Sequence, residues 1–208
     1  LQQAYAANKE HVATLLLLAD AYQMTGKPRD AEGVLLKAMN LPGDNVQVYR
    51  KLFAQYLARQ EHTSASNVIE KVRQMSDDPL LARQMQAELY LARGELDKAR
   101  AIIEPLQAQF PQNNEVRLLA LRLLIGPPGS QPPPKDFERA LQLLGEIIRQ
   151  EPSNLDAKLQ LAQLLERGGR TEEAIGTWGR LYEQNGQDVE IAARYVAALA
   201  RAKKFEQV

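Results

Sequence analysis

The sequence predicts an all-α chain built as a stacked solenoid of helix pairs. Three observations predict it. A small residue recurs as Ala31, Ala65, Ala99, Ala140 and Ala174, at steps of 34, 34, 41 and 34 residues. Four residues on, a large apolar partner follows as Leu35, Ile69, Ile103, Leu144 and Trp178, and three further on come Ala38, Val72, Leu106, Ile147 and Leu181. Each such segment is bracketed by turn residues, as in Gly94 to Pro111, GELDKARAIIEPLQAQFP. A turn, a helix and a stop repeated at a fixed long period mark units that cannot bury their apolar faces alone and lean on their neighbours.

The first complete helix starts at Val12. Leu15, Leu18, Ala19 and Tyr22 fall on one face, and the run Leu15 to Leu18 widens it, as a helix flanked on two sides requires. Gly26 ends this helix and Lys27-Pro28 makes the turn. Asp30 to Asn40 is the second helix, closed by Pro42-Gly43. Upstream, Leu1 to Asn8 reads as the last turns of a further helix, with Ala4 in the register of Ala38 and Val72.

The units are expected at 12–43, 46–79, 80–111, 113–152 and 155–186, with partial units at 1–9 and 188–208, all in a single array over 1–208. The partial units point to a piece of a longer protein, since natural arrays cap their ends. The seven extra residues of the 41-residue step fall in 126–135, within IGPPGSQPPPKD. Its prolines and glycines exclude helix there and give a semi-rigid surface loop. Pro105 sits inside a predicted helix, removes one backbone bond and should kink it, at a cost of about 3 kcal/mol if unrelieved.

These positions resemble the tetratricopeptide repeat family. The first unit supplies Leu15, Leu18, Ala19, Tyr22, Gly26, Ala31, Leu35, Ala38 and Pro42; the third supplies Ala87, Tyr90, Gly94, Ala99, Ile103, Leu106 and Pro111; the fifth supplies Leu161, Ala162, Leu165, Gly169, Ala174, Trp178 and Leu181. Tyr22, Tyr56 and Tyr90 keep the period. The second unit departs, with Phe53 at the small position and Gln60 where Gly26 and Gly94 stand, and the third has Gln86 at the usual Leu position. The resemblance implies a right-handed superhelical solenoid of antiparallel helix pairs, with a concave face built mainly by first helices. It places Leu16, Asp20, Arg50, Gln84, Glu88, Arg117, Leu159 and Gln163 on or near that face. Some members grip a C-terminal carboxylate with Lys and Asn in first helices. Here those positions hold Leu16 and Asp20, so that clamp is not expected.

Composition narrows the function. Lys plus Arg equals Asp plus Glu at 26 each. That balance lacks the basic excess of a phosphate-binding surface, so no nucleic-acid partner is expected. No cysteine is present, which removes thiolate chemistry and cysteine metal sites. The richest apolar run, 116–125, carries Arg117 and Arg122 and is half the length of a bilayer span, so no membrane insertion is expected. His11 and His62 stand near helix starts without metal-ligand spacing, so neither metal nor cofactor is expected. The acidic pairs Asp77-Asp78 and Glu172-Glu173 sit at helix starts, where they favour the positive end of the helix dipole. Gly168-Gly169 lies in a helix–helix turn and is not a phosphate loop. Ser64, Ser66, Ser76, Ser130 and Ser153 have no base in a recognisable motif. Trp178 and the tyrosines occupy packing positions.

The reading is a non-catalytic scaffold that binds another protein or peptide through the concave face. The alternative is a structural spacer whose repeat ends stack in a homo-oligomer. The Ala, Gln, Arg and Leu-rich style is similar to arrays in bacterial envelope proteins of exopolysaccharide secretion, which favours a periplasmic over a cytoplasmic setting.

Overall fold

The structure, a computed structural model, describes residues 11–42, 45–75, 79–127 and 131–202. Among them every regular element is a helix: α1 (Val12–Met24), α2 (Pro28–Met39), α3 (Val46–Ala58), α4 (His62–Met75), α5 (Leu80–Ala92), α6 (Leu96–Gln109), α7 (Asn114–Ile125), α8 (Pro134–Gln150), α9 (Leu155–Arg167), α10 (Thr171–Asn185) and α11 (Val189–Arg201). The all-α class expected from the repeat is the one the chain adopts. The partial helix at 1–9, Gly43, the pair Asp77-Asp78, Ser76, Ser130 and the end of the last unit beyond 202 lie outside the described residues.

The chain divides into two compact units, Leu1–Ile103 and Glu104–Val208. The division falls inside α6, beside Pro105, which is exposed while the helix continues through it. In unit 1 only a few residues connect each of α1, α2, α3, α4 and α5 to the next, which makes neighbours antiparallel. One continuous core runs from Leu15 and Leu18 of α1 through Leu35, Leu52 and Ile69 to Met85 and Leu89 of α5. Phe53, the large residue at a small position, is inside it and only 2% exposed.

Unit 2 has two clusters that meet at α9. Ala157 and Leu164 face Phe137, Ala140 and Leu144 of α8, whereas Ala162 faces Trp178 of α10 and Ile191 and Leu199 of α11. A helix apolar on two sides and covered on both is the packing that a stacked array needs.

The recurring alanines explain how closely helices approach. Ala31, Ala65, Ala99, Ala140 and Ala174 are each 0% exposed, and their partners Leu35, Ile69, Ile103, Leu144 and Trp178 are at most 1% exposed. Of the third set, Ile147 alone is half-buried.

The turn between paired helices repeats as well. Backbone N–H groups of Lys27, Glu61, Glu95 and Arg170 donate to the carbonyls of Tyr22, Tyr56, Tyr90 and Leu165 at 2.8–2.9 Å. This bond spans a residue in the left-handed region, Gly26, Gln60, Gly94 or Gly169, with φ from 59° to 72°. The fourth repeat departs: Gly126 takes φ 69° directly after α7, and its N–H donates to the Arg122 carbonyl.

The insertion is shorter than the sequence implies. The expected loop at 126–135 gives up Pro134 and Lys135, because α8 begins at Pro134. A proline at the first helical position lacks only an N–H that would have had no helical partner.

Candidate functional site

In unit 1 the expected binding residues lie on α1, α3 and α5. Leu16 is half-buried against the core, and Asp20 stands one turn further along α1. The Asp20 carboxylate accepts from Lys51 Nζ of α3 at 2.5 Å, so it braces two first helices against each other. Gln55 of α3 reaches Gln23 of α1 at 3.4 Å beside it. Arg50 and Glu88 are half-buried and both are engaged within the protein. Gln84 is 6% exposed, which places it in the wall and not on an open surface.

In unit 2 Arg117 is likewise inside, at 7% exposed. Its guanidinium donates from Nε to the Pro111 carbonyl at 2.8 Å, from Nη2 to Gln112 Oε1 at 2.6 Å, and from Nη1 to Gln150 Oε1. One side chain thereby ties α7 to the turn before it and to the last turn of α8. Leu159 is half-buried against the α10 and α11 cluster.

Gln163 is exposed and lines a cleft of about 470 Å³. The cleft lies among three first helices. Arg122, Ile125 and Gly126 come from the end of α7, Gln160, Leu164, Glu166 and Arg167 from α9, and Arg194 from α11. Three guanidiniums face one carboxylate there, and that carboxylate, Glu166, pairs with Arg201 of α11 at 3.2 Å. Arg194 lies 3.6 Å from Glu190 one turn back. The cleft also touches the insertion. Arg167 Nη2 donates to the Ile125 carbonyl at 2.8 Å and the Pro127 carbonyl at 3.4 Å, while Gln131 donates back to the Arg167 carbonyl at 3.3 Å. The rim is therefore fastened, and its polar groups ring an apolar floor, the pattern of a recognition cleft.

Arg122, Gln160, Arg167 and Arg194 were not among the expected binding residues. For all but Arg167 the signal was in the register: Arg122 precedes Gln163 by the 41-residue step and Gln160 precedes Arg194 by the 34-residue step.

The remaining polar residues are accounted for locally. Glu172 and Glu173 occupy the first turn of α10, and Glu173 also forks with Arg170 at 2.5 and 2.7 Å. His11 is exposed and His62 half-buried. Among the described residues, no group of three or more His, Asp or Glu side chains could hold a metal ion, and no helix is long and apolar enough to cross a membrane.

A family model described as tetratricopeptide repeat matches residues 56–123 and 134–199. No curated protein matches the chain. Among solved structures, a thermophilic TPR protein of Thermus thermophilus is similar with a TM-score of 0.69 at 17% identity, covering 91% of this chain and 100% of that one. A tetratricopeptide repeat protein of Parabacteroides merdae gives 0.58 at 18% identity, covering 94% and 75%. Yeast Tom70 gives 0.71 at 16% identity, covering 97% of this chain and 42% of that one. At these identities the likeness concerns the fold.

Proposed function

The chain belongs to the tetratricopeptide repeat family, and from that premise we propose that it is a non-catalytic scaffold that binds another protein or peptide through the exposed face of its first helices. The observation that carries this reading is the cleft around Gln163, where α7, α9 and α11 present guanidiniums and amides around an apolar floor. Helix-presented side chains of this kind recognise an extended or helical segment by a few anchors and a polar rim. No cofactor enters the reading, and the balanced charge supports a protein partner over a nucleic acid. Site-specific photo-crosslinking tests it. A photoreactive residue at Gln163 should trap a second protein in the source cell, and the same residue at exposed Glu183 of α10 should not. Equal or absent adducts at the two positions would overturn the reading.

Self-association through a repeat end is the second reading, favoured by one observation. On α11, Val189 is 81% exposed and Val196 is 44% exposed, with the exposed Ala193 between them. An apolar stripe left open is a candidate contact surface. Light scattering over a concentration series should then show association that Val196→Lys abolishes; a monomer at every concentration would end it.

We propose the setting of bacterial polysaccharide export on the style of the array alone. The complete gene decides it: a signal peptide and a terminal β-barrel support this setting, and a cytosolic catalytic domain overturns it.

A further inference from the structure

A second cleft in unit 2, of about 640 Å³, lies between the second helices α8 and α10 over α9. None of the residues of the first-helix cleft lines it. Its floor is apolar: Leu141 of α8 and Leu161 of α9 are half-buried and Leu165 of α9 is buried. Gly176 of α10 extends that floor.

Gly176 is costly where it stands. A glycine in a helix interior is less stable than alanine by about 1 kcal/mol. A Cβ placed on it would meet no atom within 4 Å. Packing within the chain therefore does not require a glycine at this position, and its missing side chain leaves the cleft wide.

The walls carry three arginines with different commitments. Arg170 is spoken for, forked by Glu173 at 2.5 and 2.7 Å and 3.6 Å from Glu138. Arg180 on α10 donates from Nε only to the Gly176 carbonyl of its own helix, at 3.1 Å. Among the described residues Arg139 on α8 and Arg180 have no carboxylate partner. Two guanidiniums without carboxylates, on facing helices above a leucine floor, fit an anionic group next to an apolar one. Guanidinium forks match carboxylates in two-point geometry.

We propose that this cleft docks an acidic peptide segment of a partner protein, with a large apolar side chain seated on Leu141, Leu161 and Leu165 over Gly176 and its carboxylates paired with Arg139 and Arg180. The site lies outside the first-helix face and stands whether or not that face binds.

A phage-displayed library of random dodecapeptides panned against the 208-residue protein tests it. Enriched peptides should combine Asp or Glu with Leu, Ile or Phe. Their affinity should fall about tenfold or more with Gly176→Leu, which fills the floor, and with the pair Arg139→Gln and Arg180→Gln. Gln163→Ala should leave it unchanged. A Cβ at 176 meets no atom within 4 Å and leucine raises helix propensity, so Gly176→Leu should keep the fold, which circular dichroism checks; the arginine pair tests the site independently. The proposal is overturned if no peptide is enriched, if the enriched peptides lack carboxylates, or if either variant binds as well as the parent. Peptides that Gln163→Ala releases would support the first-helix site and overturn this one.

Discussion

The hydroxyl of Tyr56 on α3 donates to the carboxylate of Glu32 on α2 at 2.8 Å, joining the first repeat to the second. The other oxygen of Glu32 accepts from Arg59 Nη2 at 2.7 Å, and the Arg59 guanidinium lies 5.4 Å from the centre of the Tyr56 ring. Burial, followed by the hydrogen bond to Glu32, pushes the Tyr56 hydroxyl from 10.0 up to about 12. Between those values the unfolded chain releases a proton that the folded chain keeps. Stability is therefore full below pH 10 and falls as pH rises towards 12, by about 2–3 kcal/mol. Tyr56→Phe should lose about 1 kcal/mol at neutral pH and then show a flatter profile across that window. Urea melts at a series of pH values check both outcomes.

The same pair has an acid limb. Burial alone would raise the Glu32 carboxyl, yet the bonds from Arg59 and Tyr56 outweigh it and hold it below its ordinary 4.5. The stabilisation is present above that value and is lost as pH falls through the lowered one. Glu32→Gln should remove this acid-induced loss and lower neutral stability. A Gln variant that melts with the parent's acid profile would count against the latch.

Gln60 occupies the left-handed turn position that Gly26, Gly94 and Gly169 take in other repeats, with φ 59°. A side chain there is strained by about 1 kcal/mol. Gln60→Gly should raise stability by about that amount, and Gly94→Ala should lower it similarly. Thermal melts of the two variants test the sign in each case.

How far the sequence could be read follows from these residues. The packing alanines and their partners were legible because 0% exposure at a fixed step leaves little choice of residue. The caps Asn113, Asn154 and Asp188, which accept from backbone N–H groups at the starts of α7, α9 and α11, follow the same 41- and 34-residue steps. Pro134 misled because a proline reads as a helix breaker until its position at the first turn is known. The candidate surface was harder. Register places a residue on a helix, but not where a long side chain ends. Gln84 and Arg117 carry polar ends that the fold encloses, and the acceptors of Arg117 include Gln150, 33 residues away in sequence. The cleft required three helices to be seen together.

Gly168, which caps α9, is a position where space and not backbone freedom decides. A Cβ built there would lie 2.2 Å from the ring atoms Cε2 and Cζ of Phe137 on α8. Phe137 is 9% exposed and belongs to the cluster of Leu121 and Leu144, so its ring has little room to retreat. Gly168→Ala should destabilise by about 1–3 kcal/mol, the usual cost of overpacking. Phe137→Leu in the same chain should recover part of the loss. Additive losses in the double variant would show that the two positions do not compete for one space.

Arg117 separates a structural role from a binding role. It makes bonds to Pro111, Gln112 and Gln150 while 7% exposed. Removing it empties a buried place and breaks three bonds, each worth about 1.5–3 kcal/mol when the donor is charged, but Pro111, Gln112 and Gln150 are exposed and can turn to water instead. Arg117→Ala should therefore cost unit 2 about 1–3 kcal/mol, from the lost bonds and the space its buried side chain leaves. Arg117→Lys should recover little, because an ammonium lacks the planar fork that reaches three acceptors in different directions. The readout is the urea midpoint with and without a crosslinked partner. If Arg117→Ala melts with the parent chain and only partner capture at Gln163 declines, Arg117 is a contact residue and the clamp is not what holds α7 to α8.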